Sequence, residues 1–258
     1  MNNIPAKSGW LWVKQGFAML RQQPTGLSTL FFGYMLATAV LIVLAPIGII
    51  AHSILMPVFA IGFMSAAREI IAQRPVLPAQ VLAGFRGPAL RRLCTLGVVH
   101  LLAFIAAVGI GLLFIDFDVW EKLMAEPQTA TPELLRATGM IPGVLAGAAL
   151  YVPTLLIVSF AAPLVQWQGM APGKALFYSF FAIKRTAGAF CVFAVSLFAI
   201  AFFVLQLLGA LLGMGPIGFA VMRMVSVLLY GVAHCALYVA YVQIFSPSDQ
   251  DQDAPAVL

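Results

Sequence analysis

The chain has 258 residues, of which 62% are apolar and only 9% charged, against about 45–50% and about 25% in soluble domains, so an ordinary soluble protein is excluded. The net charge is +5, but the bases stand at the ends of long apolar runs, where they meet anionic headgroups, and not in an aromatic-studded polar domain that would bind nucleic acid. Cys94, Cys191 and Cys235 have no short spacing, which gives neither a metal knuckle nor a disulfide framework and leaves small core side chains.

No short apolar run follows the basic start, so the first span is expected to act as an uncleaved signal-anchor. Residues Ser8 to Gln22 form a two-faced segment. On a helix Trp10, Val13, Gly16, Phe17 and Leu20 share one side, while Lys7, Lys14 and Arg21 recur every seven residues on the other. Ser8 is the expected N-cap and Pro24 the expected stop. Such a helix is too polar to span a bilayer and suits its headgroup region.

Leu27 to Ile71 has no charge before Arg68-Glu69, long enough for two spans with a turn at Pro46, Gly48 and His52-Ser53. The region from Arg68 to Arg92 holds five arginines against Glu69. Within it Pro78 opens a second two-faced segment, with Val81, Leu82, Phe85 and Ala89 on its apolar face and Pro88 expected to kink or end it. Leu93 to Ile115 is the third span, where Ala103, Ala107 and Gly111 make a small-residue face for a neighbouring helix. The polar loop 116–139 carries Asp116, Asp118, Glu121, Glu126 and Glu133, and Thr131-Pro132-Glu133 predicts a short helix ending at Gly139.

The fourth span, Ile141 to Trp167, has Gly143-x-x-x-Gly147 and interior prolines 153 and 163 that predict kinks. A third two-faced segment follows from Pro172 to Arg185. Leu176, Phe177, Phe180, Phe181 and Ile183 are its expected apolar face, with Lys174, Tyr178 and Arg185 opposite. Span five is Ala187 to Leu212, span six about Ile217 to Phe245, and residues 246–258 form an acidic tail expected to be disordered.

The order is two-faced segment, span, span, three times over, in units of about residues 5–73, 77–167 and 172–245. Eleven of the 14 bases fall in the regions holding the two-faced segments, which the positive-inside rule places in the cytoplasm. The expected architecture is therefore an all-α, six-span membrane protein with a pseudo-threefold repeat and three cytoplasmic interfacial helices. Both termini are expected inside, and the acidic loop outside.

Candidate lipid-headgroup contacts are Lys7, Lys14, Arg21, Arg86, Arg91, Arg92, Trp167, Lys174, Lys184 and Arg185. Ionisable groups within the spans are few. Arg223 is expected to snorkel to the outer surface, Arg68-Glu69 to form an interfacial pair, and His100 and His234 to be buried and bonded to neighbouring helices. Asp116, Asp118 and Glu121 would lie close on one helical turn, but a solvated acidic loop is the commoner meaning. No phosphate loop, nucleophile elbow or Cys/His cluster is present in the sequence, and no cofactor is expected.

The run Ala162-Pro163-Leu164-Val165-x-Trp167, followed by Pro172-x-Lys174-Ala175-Leu176-x-x-Ser179, resembles an uncharacterised family of bacterial inner-membrane proteins of similar length. Gly9-Trp10, Trp12-x-Lys14-x-Gly16 and Ala66-Ala67-Arg68-Glu69 carry the same resemblance. Members of that family often have His-Trp-His where this chain has Gln166-Trp167-Gln168. A looser similarity is to the membrane module fused to some glycerophosphodiester phosphodiesterases. The resemblance implies the architecture and no activity. The expected function is a non-enzymatic membrane component that engages anionic lipids through its basic segments, with a protein partner or homo-oligomer left open. A small-solute permease is the alternative, and a lipid-modifying enzyme, which would need Glu69 as its acid, comes third.

Overall fold

The computed structural model describes residues 4–44, 46–125, 131–213 and 215–245. The acidic tail and Glu126 lie outside the described residues. Ten α-helices occur among the described residues: α1 (Ser8–Gln22), α2 (Pro24–Val43), α3 (Ile47–Ile71), α4 (Leu90–Leu112), α5 (Phe117–Ala125), α6 (Pro132–Ala137), α7 (Met140–Gln168), α8 (Pro172–Arg185), α9 (Ala187–Leu212) and α10 (Pro216–Phe245). A 3₁₀ segment, Pro78–Phe85, sits between α3 and α4. Six of the helices, α2, α3, α4, α7, α9 and α10, are long and apolar enough to cross a bilayer. The protein is an all-α polytopic membrane protein.

Several boundaries differ from the sequence expectations. Lys7 occupies the N-cap position of α1 without a side-chain cap bond, and Ser8 is instead buried against the bundle. Pro24 stops α1 but also opens α2, in the first-turn position that tolerates its missing N–H. The turn of the first hairpin lies before Ile47, so His52 and Ser53 are inside α3. The acidic loop contains two helices where one was expected: Asp116 Oδ1 accepts from the Asp118 and Val119 N–H groups at the start of α5. Thr131 Oγ1 caps α6 as expected, accepting from the Leu134 N–H at 3.2 Å. Helix α7 continues through Pro153 and Pro163 as one helix of 29 residues.

Helix α3 is the central element. Val58, Ala60, Ile61, Phe63, Met64, Ala66 and Ala67 on it are fully enclosed, and it touches α2, α4, α7, α10 and the 3₁₀ segment. Helices α3, α7 and α10, the second helices of the three hairpins, meet one another in the middle of the bundle. The small-residue expectation for α4 holds in part: a Cβ at Gly143 or Gly147 would fall 2.6 Å from the Gly111 carbonyl and 2.8 Å from the Ala107 carbonyl. This close approach replaces the missing hydrophobic drive for helix association in lipid.

The three short segments pack in a cyclic order. Helix α1 lies on α9 and α10, the 3₁₀ segment on α3 and α2, and α8 on α7. Each therefore sits mainly on the hairpin that precedes its own when the three hairpins are taken as a ring, which ties the chain's first helix to its last hairpin.

Candidate functional site: a basic aromatic rim and a polar seam

The three short segments gather at one end of the bundle, here called the basic end, and the loop with α5 and α6 lies at the other. Their protein-facing sides do not coincide with the apolar faces read from the sequence. On α1 the protein-facing side is Ser8, Gly9, Trp12, Val13, Gly16 and Met19. Trp12 is only 1% exposed, whereas Trp10 is 46% exposed. The physical reason is glycine: a Cβ at Gly9 would lie 2.0 Å from the Ala189 carbonyl oxygen, and one at Gly16 would lie 2.7 Å from that of Val232. Only the glycine side of α1 can come so close to α9 and α10. Trp12 follows it inward, packs on Phe190 and Phe193 and donates its indole N–H to Gln243 Oε1 at 2.6 Å.

The second segment is a 3₁₀ helix, shortened by Pro88 and Gly87. Leu82, on the expected apolar face, is exposed, and Gly84 and Val76 are buried. On helix α8 the protein-facing side is separate from the expected apolar face. Its buried seam is the small set Ala175, Ser179 and Ala182, and Ser179 donates to the Ile157 carbonyl at 2.7 Å. Phe177 (61% exposed), Phe180 and Phe181 point outward, on the same broad face as Lys174, Lys184 and Arg185, with Lys174 5.8 Å from the Tyr178 ring centre.

Lys7, Lys14, Arg21, Arg86, Arg91, Arg92, Lys174, Lys184 and Arg185 are all exposed at this end. Trp167 departs from the set. It is half-buried between Tyr238 and Tyr241, with ring centres 5.4 and 5.6 Å away, and the Arg68 guanidinium lies over its face at 5.8 Å. Trp167 therefore joins α3, α7 and α10. Beside it Gln168 donates to the Tyr241 hydroxyl at 3.1 Å, and Arg92 donates to the Gly169 carbonyl at 2.6 Å. Glu69 is bonded to Arg74 rather than to Arg68; Arg74 donates to both carboxylate oxygens, the Nη2 contact being 3.0 Å. The carboxylate holds the Arg74 pKa above its ordinary value, and Glu69 is thereby engaged in an ion pair at the end of α3.

A second feature escaped the sequence analysis. Arg223, Tyr230, His234, Tyr238 and Tyr241 are spaced 7, 4, 4 and 3 residues apart on α10. At about 100° per residue they fall within roughly 80° of arc, a polar seam running most of the length of a membrane span. Tyr34 of α2 stacks on Tyr230 with ring centres 5.1 Å apart and planes 8° apart, and the His52 ring of α3 lies 6.1 Å from that of Tyr34. Arg223 does not simply snorkel: its Nη2 reaches Thr38 Oγ1 at 3.4 Å.

Polar satisfaction along this seam is incomplete. His234 Nδ1 donates to the Tyr230 carbonyl at 2.9 Å, which leaves Nε2 as an acceptor. His234 Nε2, His52 Nδ1, the Tyr230 hydroxyl and Gln166 Oε1 are buried without a hydrogen-bond partner among the described residues. His100 contrasts with His234. It bridges the Ser53 carbonyl of α3 at 3.2 Å and the Tyr151 hydroxyl of α7 at 2.8 Å, so both ring nitrogens are used and its role is to join helices. No group of three or more His, Cys, Asp or Glu side chains suited to a metal ion lies together among the described residues.

A probable inner membrane protein of Burkholderia thailandensis is similar to this chain, with 34% identity over 260 residues covering 98% of the chain and 95% of the relative. No family model matches the chain, and no solved structure matches it. The similarity spans the six membrane helices and all three short segments together. The chain is an integral, multi-pass inner-membrane protein and belongs to the family of that Burkholderia protein.

Proposed function

We propose that the protein is a non-enzymatic inner-membrane component whose basic end faces the cytoplasm and binds anionic lipid headgroups. The observation that carries this reading is the orientation of α8. Its protein-facing seam is only Ala175, Ser179 and Ala182, and it directs Phe177, Phe180 and Phe181 outward beside Lys174, Lys184 and Arg185. A mixed aromatic and cationic face is costly against water and suited to the headgroup layer, where rings bury and ammonium groups meet phosphate. The exposed bases of α1 extend the same charge along the rim.

The test is lipid co-purification with Lys174→Gln/Lys184→Gln/Arg185→Gln. Retained phosphatidylglycerol and cardiolipin should fall relative to phosphatidylethanolamine. An unchanged lipid profile would sink the reading.

A second reading, passage of a small polar solute, draws support from the α10 seam alone. Unpaired polar atoms inside a bilayer cost several kcal/mol each and mark ion or solute paths in other membrane proteins. Uptake into proteoliposomes should fall in Tyr230→Phe and His234→Phe under this reading. Absence of any flux above protein-free vesicles removes it.

A further inference from the structure

At the basic end a cleft of about 510 Å³ opens between α1 and the ends of α3 and α10. Its floor is apolar, including Trp12, Ile70 and Val242, and four amide side chains, Gln15, Gln22, Gln73 and Gln243, stand on its walls. We propose that this cleft is a binding site for one phospholipid with an anionic, hydroxylated headgroup of the phosphatidylglycerol type. The inference rests on the lipid-binding reading above and adds a defined site and a headgroup class to it.

The cleft's lining has no charged side chain, so its recognition is by hydrogen bonding. A glutamine amide offers two N–H donors and one acceptor oxygen. Gln243 uses its oxygen to accept from Trp12, which leaves its NH₂ group for a ligand oxygen. Gln15 and Gln22 are exposed at the wall of the cleft. Gln73 is held in the left-handed region at φ 55° just past the end of α3, where glycine is the usual residue. Its amide nitrogen donates to the Ile70 carbonyl at 3.4 Å, which leaves its oxygen as an acceptor at the cleft.

A phosphodiester needs donors and a glycerol hydroxyl needs acceptors, and a glutamine-walled cleft supplies both. An ammonium headgroup would bring a further positive charge to the end of the bundle that already holds eleven of the 14 bases. The glycerol headgroup avoids that repulsion, and the apolar floor accommodates the first part of an acyl chain.

The experiment is native mass spectrometry of the full chain after stepwise delipidation, with phosphatidylglycerol or phosphatidylethanolamine added back. One phosphatidylglycerol should survive delipidation on the wild-type protein, and soluble glycerol phosphate should not displace it. Gln15→Leu/Gln22→Leu should weaken its retention about tenfold, as should Gln15→Glu, which sets a negative charge in the cleft wall. Lys174→Gln/Lys184→Gln/Arg185→Gln should strip loosely held lipids and leave this one. Equal retention in both cleft variants, or equal retention of phosphatidylethanolamine, overturns the site while leaving the rim reading intact. Loss of the retained lipid in the cleft variants, with no effect of the α8 variants, supports the cleft and removes the rim.

Discussion

Trp12 of the first helix donates to Gln243 of the last span at 2.6 Å, across 231 residues of sequence. The contact closes the bundle, because the α1 surface that carries Trp12 is also the surface whose glycines touch α9 and α10. Removing the indole donor in Trp12→Phe should cost about 0.5–1.5 kcal/mol, whereas Trp12→Ala also opens a cavity and should cost about 3–5 kcal/mol. Thermal unfolding in detergent distinguishes the two, and Gln243→Leu added to Trp12→Phe should cost little more than either alone.

The glycine seam predicts a sharp positional contrast. Gly9→Ala places a methyl group against the Ala189 backbone, which cannot yield as a side chain can. It should lower the unfolding temperature and expose α1 to protease. Gly173→Ala, in the first turn of α8 with open space around it, should be neutral or slightly stabilising. Equal behaviour of the two variants would show that α1 does not pack as described.

His100 holds α3, α4 and α7 together through two hydrogen bonds. Tyr151→Phe leaves Nε2 of His100 without a partner and should cost about 1–3 kcal/mol. His100→Phe removes both bonds and frees the Ser53 carbonyl. A double-mutant cycle should show coupling between the two positions, read from denaturant or thermal unfolding.

Six spans could be read from the sequence because a bilayer sets their length and nearly excludes charge from them, and this is a property of runs of residues, not of contacts. Facing directions could not. In a soluble helix the apolar side is the buried side, but in lipid both sides are apolar. The pattern of α8 marks Phe177, Phe180 and Phe181 as its apolar face without saying which side meets protein, and the structure packs Ala175, Ser179 and Ala182 there. Small residues mark the protein-facing side more reliably, as Gly9 and Gly16 do on α1 and Gly143 and Gly147 on α7.

The α10 seam had a sequence signal that went unused. Tyr230, Tyr238 and Tyr241 count as apolar in hydropathy, yet their spacing with Arg223 and His234 is that of one helix face. The partners of His100 and the exchange of Arg68 for Arg74 beside Glu69 had no such signal, since they depend on how separate helices meet.

The outward face of α8 is tested most directly by site-directed spin labelling. With Cys94, Cys191 and Cys235 replaced by alanine, single cysteines at Phe177 and Phe181 would carry the label in liposomes containing phosphatidylglycerol. The account predicts preferential collision with oxygen over a water-soluble nickel chelate at both positions, with depths in the headgroup region. Labels that collide chiefly with the chelate, or are shielded from both reagents by protein, would contradict it.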